Sequence, residues 1–193
     1  MKQTIVNLAK AFVGESQARN RYTFFSKISK KEGFEQIAEI FLLTADNERE
    51  HASWFYKMLL ELKTKESIVE NIKIEAEVPC ILSTTMENLK AAITGETEEY
   101  TSLYPSFAET AIQEGFPEIA SRIQAISEAE KHHAQRYALI LSQLEKNSIF
   151  KKDQEVIWIC RECGYPHFGF EPPLQCPSCG HEKGFYQLKC ETY

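Results

Sequence analysis

The sequence predicts an all-α four-helix bundle with a long crossover, followed by a small domain built on four cysteines. Three observations predict it. Four long segments rich in Ala, Leu, Ile, Glu and Lys are punctuated by glycine and proline. Two cysteine pairs, Cys160-Arg161-Glu162-Cys163 and Cys176-Pro177-Ser178-Cys179, stand close together near the C-terminus. The composition also changes sharply: residues 153–193 hold four of the seven prolines, four of the eight glycines and five of the six cysteines. A boundary at 151–153 therefore separates a bundle over 1–150 from a second domain over 153–193.

Gly33 divides a first helix, 3–31, from a second, 34–63. A connection of about 18 residues follows, through Ser67, Asn71 and Pro79. The third helix covers 82–114, with Pro105 inside it predicting a kink or short break, and Gly115-Phe116-Pro117 ends it. Pro117 suits the opening position of a fourth helix, 117–147. Two short connections and one long one give a crossover bundle rather than simple up-down-up-down topology.

The 193 residues, 43% of them hydrophobic, suffice for a real core, and the net charge of −6 speaks against a nucleic-acid binder with a basic face. No apolar run approaches the ~20 residues that cross a bilayer. Asn7, Lys10 and Glu15 interrupt any signal-peptide core, so a cytoplasmic protein with no membrane partner is expected. Without an export signal, paired cysteine knuckles point to a metal rather than disulfides.

The helices' apolar stripes are broken in an ordered way. The second reads Ile37, Phe41, Thr44, Glu48, His51, Phe55, Met58, Leu62; the fourth reads Ile119, Ile123, Ile126, Glu130, His133, Tyr137, Ile140, Leu144. Each core face is interrupted mid-helix by Glu-x-x-His, whose two side chains share one face. The first helix places Glu15 between Phe12 and Ala18, and the third places Glu96 and Glu99 between Ala92 and Leu103. Glu48 to Glu130 and His51 to His133 are each 82 residues apart, and Glu15 to Glu96 is 81, so the bundle reads as two copies of a helical hairpin. Glu128 and His132 fall off the shared stripe and read as surface residues.

Five inward carboxylates without partners would leave no stable fold. Two divalent or trivalent metal ions balance their charge, and carboxylate ligation with one imidazole per metal suits iron or manganese. One Glu from each of two helices plus Glu-x-x-His from each of the other two is a known dimetal arrangement of helical bundles. A single Glu-x-x-His is commonly a solvated face; two at matched depth, with further inward carboxylates, are not. In the second domain Cys160, Cys163, Cys176 and Cys179 fit a tetrathiolate site holding zinc or iron, which a segment this small needs in order to fold. A redox-active neighbour tips that choice toward iron. Cys80 and Cys190 lack a partner motif and read as incidental.

The motifs at 14–22 (GESQARNRY), 45–51 (ADNEREH), 95–100 (GETEEY) and 130–133 (EKHH), with the terminal knuckles, resemble the rubrerythrin family over essentially the whole chain. The resemblance implies a ferritin-like di-iron bundle and a small β-rich rubredoxin-like domain holding one iron. It implies Glu15, Glu48, His51, Glu96, Glu99, Glu130 and His133 as di-iron ligands, with Glu48 and Glu130 bridging. It further implies that His51 and Glu99 exchange at one iron on oxidation, and that Tyr22 and Tyr104 hydrogen-bond near the ligands. The implied activity is reduction of hydrogen peroxide to water, an oxidative-stress defence of anaerobes and microaerophiles. The implied partners are a second copy in a head-to-tail homodimer and an external electron donor, rubredoxin or a flavoprotein reductase. No dinucleotide fingerprint follows a strand, so NAD(P)H would act through that separate reductase. The competing readings are a ferroxidase or iron-storage protein, and a zinc-ribbon module on a helical scaffold.

Overall fold

The computed structural model describes residues 1–191. Its helices are α1 (Gln3–Lys31), α2 (Glu35–Lys65), α3 (Thr85–Glu98), α4 (Tyr104–Gln113) and α5 (Pro117–Glu145), with a five-residue π segment, Glu99–Leu103, joining α3 to α4. The third predicted helix is therefore one continuous but re-registered rod. It starts later than expected: Leu82 is exposed and lies outside it. The start is fixed by Thr84, whose side chain accepts the Glu87 N–H, and by Asn88, which exchanges two 2.9 Å hydrogen bonds with the Ser83 backbone.

The π segment handles Pro105 without a break. Proline cannot donate to the carbonyl four residues back, and the wider turn closes instead through the Tyr104 N–H to the Glu99 carbonyl. One extra residue enters the helix, so the buried face moves from Leu103 to Tyr104, Phe107, Ala108 and Ala111. The sequence carries the trace of this insertion. Glu15 to Glu96 is 81 residues, whereas Tyr22 to Tyr104 is 82.

The repeat extends to the turns. Gly33 (φ 81°) and Gly115 (φ 85°), 82 residues apart, end α1 and α4 in the left-handed region. After each, a phenylalanine N–H returns to a carbonyl five residues back, Phe34 to Ser29 at 2.9 Å and Phe116 to Ala111 at 2.8 Å. The crossover after α2 has no regular structure, and its Ile68, Ile72 and Ile74 pack on the bundle. Both carboxylate oxygens of Glu114 accept the first N–H groups of α1, from Gln3 and Thr4, each at 2.8 Å.

The core is in two parts. One end holds Ile5, Leu8, Phe55, Leu62, Tyr104, Phe107 and Ile123; the other holds Tyr22, Phe25, Ile37, Phe41, Leu89, Tyr137 and Leu144. The buried polar residues Glu15, Glu48, Glu96, Glu130 and His133 lie on the same helices between these two sets. None of the described helices is long and apolar enough to cross a membrane.

The second domain is a three-stranded antiparallel sheet ordered β2–β1–β3, from β1 (Val156–Cys160), β2 (Pro166–Gly169) and β3 (Tyr186–Leu188). Its core is small: Trp158, Cys160, Cys176 and Tyr186. It seats on the α1–α2 turn, where a Cβ on Gly184 would stand 2.2 Å from the Gly33 carbonyl oxygen, so only glycine fits. Arg161 reaches Glu39 on α2 beside this contact, and Phe34 stacks on Phe150 with ring centroids 6.1 Å apart.

Candidate metal centres

Each helix brings its polar residues to the middle of the bundle because they occupy core-facing positions of an otherwise apolar stripe. Two ligand sets result: Glu15, Glu48, His51 and Glu130, and Glu48, Glu96, Glu130 and His133, each with one donor atom per residue within 4.8 Å of the others. Glu48 and Glu130 belong to both sets. The Glu48 oxygens face the two imidazoles separately, Oε2 at 2.8 Å from His51 Nδ1 and Oε1 at 3.3 Å from His133 Nδ1. Glu130 does the same, with Oε1 2.8 Å from His51 Nδ1 and Oε2 2.9 Å from His133 Nδ1. Glu96 Oε2 lies 3.5 Å from His133 Nδ1.

These approaches are close, yet the atoms are not hydrogen-bonded. Glu15 Oε2, both oxygens of Glu48 and of Glu130, Glu96 Oε2, His51 Nδ1 and His133 Nδ1 are buried with no hydrogen-bond partner among the described residues. Buried polar atoms are normally satisfied, and lone pairs converging on shared points are what two cations require. The residues fit a dinuclear metal site.

Tyrosines occupy the outer oxygens of the two unshared carboxylates, each reaching across to the other hairpin. Tyr22 on α1 donates to Glu96 Oε1 at 2.5 Å, and Tyr104 on α4 donates to Glu15 Oε1. The sequence places both near the ligands, but it puts Tyr22 on the face of Glu15 and gives no sign of Glu96. Glu99 belongs to neither set. It is half-buried on the π segment, close enough for its charge to act on Glu15. Arg21, which sequence reasoning passes over, holds its charge near Glu99; its only signal in the sequence is a basic residue beside the α1 stripe. Glu128 and His132 are exposed, in keeping with their place off the stripe.

The charge environment follows from burial. Without a metal, burial and the neighbouring Glu130, Glu99 and Glu48 push the Glu15 carboxyl well above its ordinary range. Burial likewise raises Glu99, and it raises Glu96 to about 7 although His133 pulls the other way. Burial pulls both histidines down, but the adjacent carboxylates outweigh it, lifting His51 to about 9 and His133 to about 12. The metal-free site thus stores protons in place of metal charge. Within the two ligand sets His51 is the most exposed side chain, 13% against 4% for His133 and 1% or less for Glu48, Glu96 and Glu130.

The four cysteines form a second centre from two matching knuckles. Cys160 N–H donates to the Tyr165 carbonyl and Gly164 N–H to Cys160; Cys176 N–H donates to His181 and Gly180 N–H to Cys176. Gly164 (φ 77°) and Gly180 (φ 76°) supply the turn in each. The sulfurs of Cys160 and Cys179 are 3.7 Å apart, those of Cys163 and Cys176 3.6 Å. A disulfide needs about 2.05 Å. Thiolates at about 2.3 Å from a tetrahedral metal stand about 3.8 Å from one another. The four cysteines therefore fit a tetrathiolate metal. Cys80 and Cys190 are exposed and apart from it.

Comparison with known proteins agrees in both domains. The Rubrerythrin family model matches residues 7–141, and the model for the rubredoxin-like domain of rubrerythrin matches 158–187. A chain bearing the rubrerythrin name from Methanocaldococcus jannaschii is 55% identical, over 100% of this chain and 96% of its own length. Rubrerythrin-1 of Clostridium acetobutylicum is 47% identical over 99% and 96% of the two chains. Rubrerythrin of Nitratidesulfovibrio vulgaris is 42% identical over 96% and 94%. Among solved structures, partially reduced nigerythrin superposes with a TM-score of 0.63 at 29% identity, covering 96% of this chain and 86% of that one. A ferritin-like bundle with a di-iron carboxylate site, and a rubredoxin-like domain with a four-cysteine site, together place this chain in the rubrerythrin family.

Proposed function

We propose that this protein is a di-iron peroxidase that reduces hydrogen peroxide to two waters with two electrons and two protons. The observation that carries the reading is the shared pair Glu48 and Glu130, each with one oxygen toward either histidine, together with a further carboxylate, Glu99, beside them. Glu15, Glu48, His51, Glu96, Glu130 and His133 hold the two irons, with Glu99 as a seventh ligand. Iron bound there would supply two electrons for one peroxide, and Cys160, Cys163, Cys176 and Cys179 would hold a further iron able to return electrons one at a time.

The chain's own residues do the rest. Tyr22 and Tyr104 fix Glu96 and Glu15 through their phenolic protons, leaving the other oxygen of each for metal. Apolar side chains on both sides of the layer exclude water. The exposure of His51 gives a small oxidant access, and His51 and Glu99 would be the two groups able to hold the metal on that side. Glu99→Ala is expected to lower peroxide turnover roughly 10–100-fold while iron oxidation by oxygen persists. Full peroxide turnover in that variant contradicts the role of Glu99, and iron oxidation with mineral formation as the main activity favours the ferroxidase alternative.

Electrons are proposed to arrive from a second subunit. Within one chain the four-cysteine domain is seated at Gly33 and Glu39, and Glu39 is nine residues from Glu48, about 13.5 Å along α2. In a head-to-tail homodimer the partner's four-cysteine domain would supply the nearer donor. Mixing unfolded and co-refolded Glu130→Ala and Cys176→Ser chains should then restore donor-linked turnover that neither has alone; no recovery argues for transfer within one chain. An external rubredoxin or flavoprotein reductase supplies the electrons, ultimately from NAD(P)H, in the cytoplasm of an anaerobe or microaerophile.

A further inference from the structure

One buried polar group in the small domain has no use in the fold. Tyr186 opens β3, pairs in register with Cys160 on β1, and is 1% exposed among Trp158, Cys160 and Cys176. Both large aromatics of this core carry a donor out of water. Trp158 spends its indole N–H on the Gly169 carbonyl at 3.0 Å. The Tyr186 hydroxyl has no hydrogen-bond partner among the described residues. Phenylalanine would fill the same space without leaving a donor unsatisfied.

That hydroxyl shares its core with the Cys160 and Cys176 sulfurs, and it favours the ionised form of Cys176. The turns of the two knuckles are alike: the Cys160 and Cys176 carbonyls accept the N–H of Gly164 and of Gly180, each at 2.8 Å. The tyrosine breaks this symmetry at one ligand. We propose that Tyr186 tunes the four-cysteine iron: with iron bound, its otherwise unpartnered hydroxyl donates a hydrogen bond to the Cys176 thiolate and raises the reduction potential of the centre. The sign follows from charge. Adding one electron converts ferric to ferrous iron and makes the tetrathiolate unit more negative by one, so a donor to sulfur favours the reduced form. Tyr186 is thus a positioning residue that sets how readily this centre holds an electron. The inference rests on iron bound by the four cysteines and not on the identity of the oxidant.

The test is a spectroelectrochemical titration of the full iron-loaded chain against Tyr186→Phe, with equal iron content confirmed and no peroxide present. The variant should show a lower midpoint: a ferrous-to-ferric ratio reduced up to roughly tenfold at fixed potential, which is about 59 mV for a one-electron couple. Its thiolate-to-iron bands should move to longer wavelength as the sulfur loses its donor. An unchanged midpoint and unchanged bands overturn the proposal. Should the variant not load iron, the wild-type chain substituted with a spin-active cadmium isotope decides it: scalar coupling between the metal and the Tyr186 hydroxyl proton supports the bond, and its absence overturns it.

Discussion

Metal-free protein should lose bundle stability as pH rises from about 4.5 to 9, whereas iron-loaded protein should gain it over the same range. Without metal, five groups of the site hold protons more tightly in the folded chain than their ordinary values allow. Glu15 and Glu99 are well above 4.5, Glu96 is near 7, His51 near 9 and His133 near 12. A group raised on folding contributes stability below its unfolded value and loses it as pH passes its folded value. Glu96 therefore stops contributing as pH rises through about 7, and His51 through about 9. Glu130, lowered by the two histidines against the effect of burial, acts in the opposite sense but is one group against five. Each net proton is worth about 1.4 kcal/mol per pH unit. Iron requires the same ligands deprotonated, so its binding releases protons and strengthens with pH. With iron(II) at a thousandfold over its dissociation constant the stabilisation is about 4 kcal/mol. Anaerobic denaturant unfolding followed by helical circular dichroism, at three pH values with and without iron(II), checks this. Parallel slopes in the two forms contradict it.

Replacing Cys176 by alanine should unfold the small domain while leaving the bundle helical. Four buried residues make its core, and a segment near forty residues cannot fold on so little. Structural tetrahedral metal sites supply on the order of 10 kcal/mol of folding free energy, and loss of one of four thiolates removes much of it. Trp158 reports the outcome because it is 1% exposed in the fold. In a Trp54→Phe background its emission should shift to that of a solvent-exposed indole, with helical circular dichroism retained. An unshifted emission would show that docking on the Gly33 turn suffices to hold the domain.

Much of this architecture is legible in the amino-acid sequence. Helices α1, α2 and α5 lie within two residues of their predicted bounds because glycine, proline and the apolar period mark their ends. The shared carboxylates and both histidines are readable as polar breaks in apolar stripes. The third helix is not, because a fixed 3.6-residue period places Glu99 and Leu103 on one face with Glu96. The inserted residue at the π segment moves Tyr104 into the core and leaves Glu99 outside both ligand sets. The partner of Tyr22 is hidden for a related reason: spacing along one helix points to Glu15, while packing across hairpins delivers Glu96. The seat of the small domain is also hidden, since Gly184 looks like any loop glycine until Gly33 stands against it.

In the proposed reaction both iron centres belong to one peroxide-reducing path. The visible spectrum of anaerobically prepared, iron-loaded protein, first reduced and then given two equivalents of hydrogen peroxide, enough to take up the three electrons of its three ferrous irons, reports on that path. The thiolate-to-iron bands should be bleached by reduction and return on adding peroxide, as the four-cysteine iron is emptied toward the bundle. Bands that stay bleached after peroxide, in protein shown to carry iron at both centres, contradict the account.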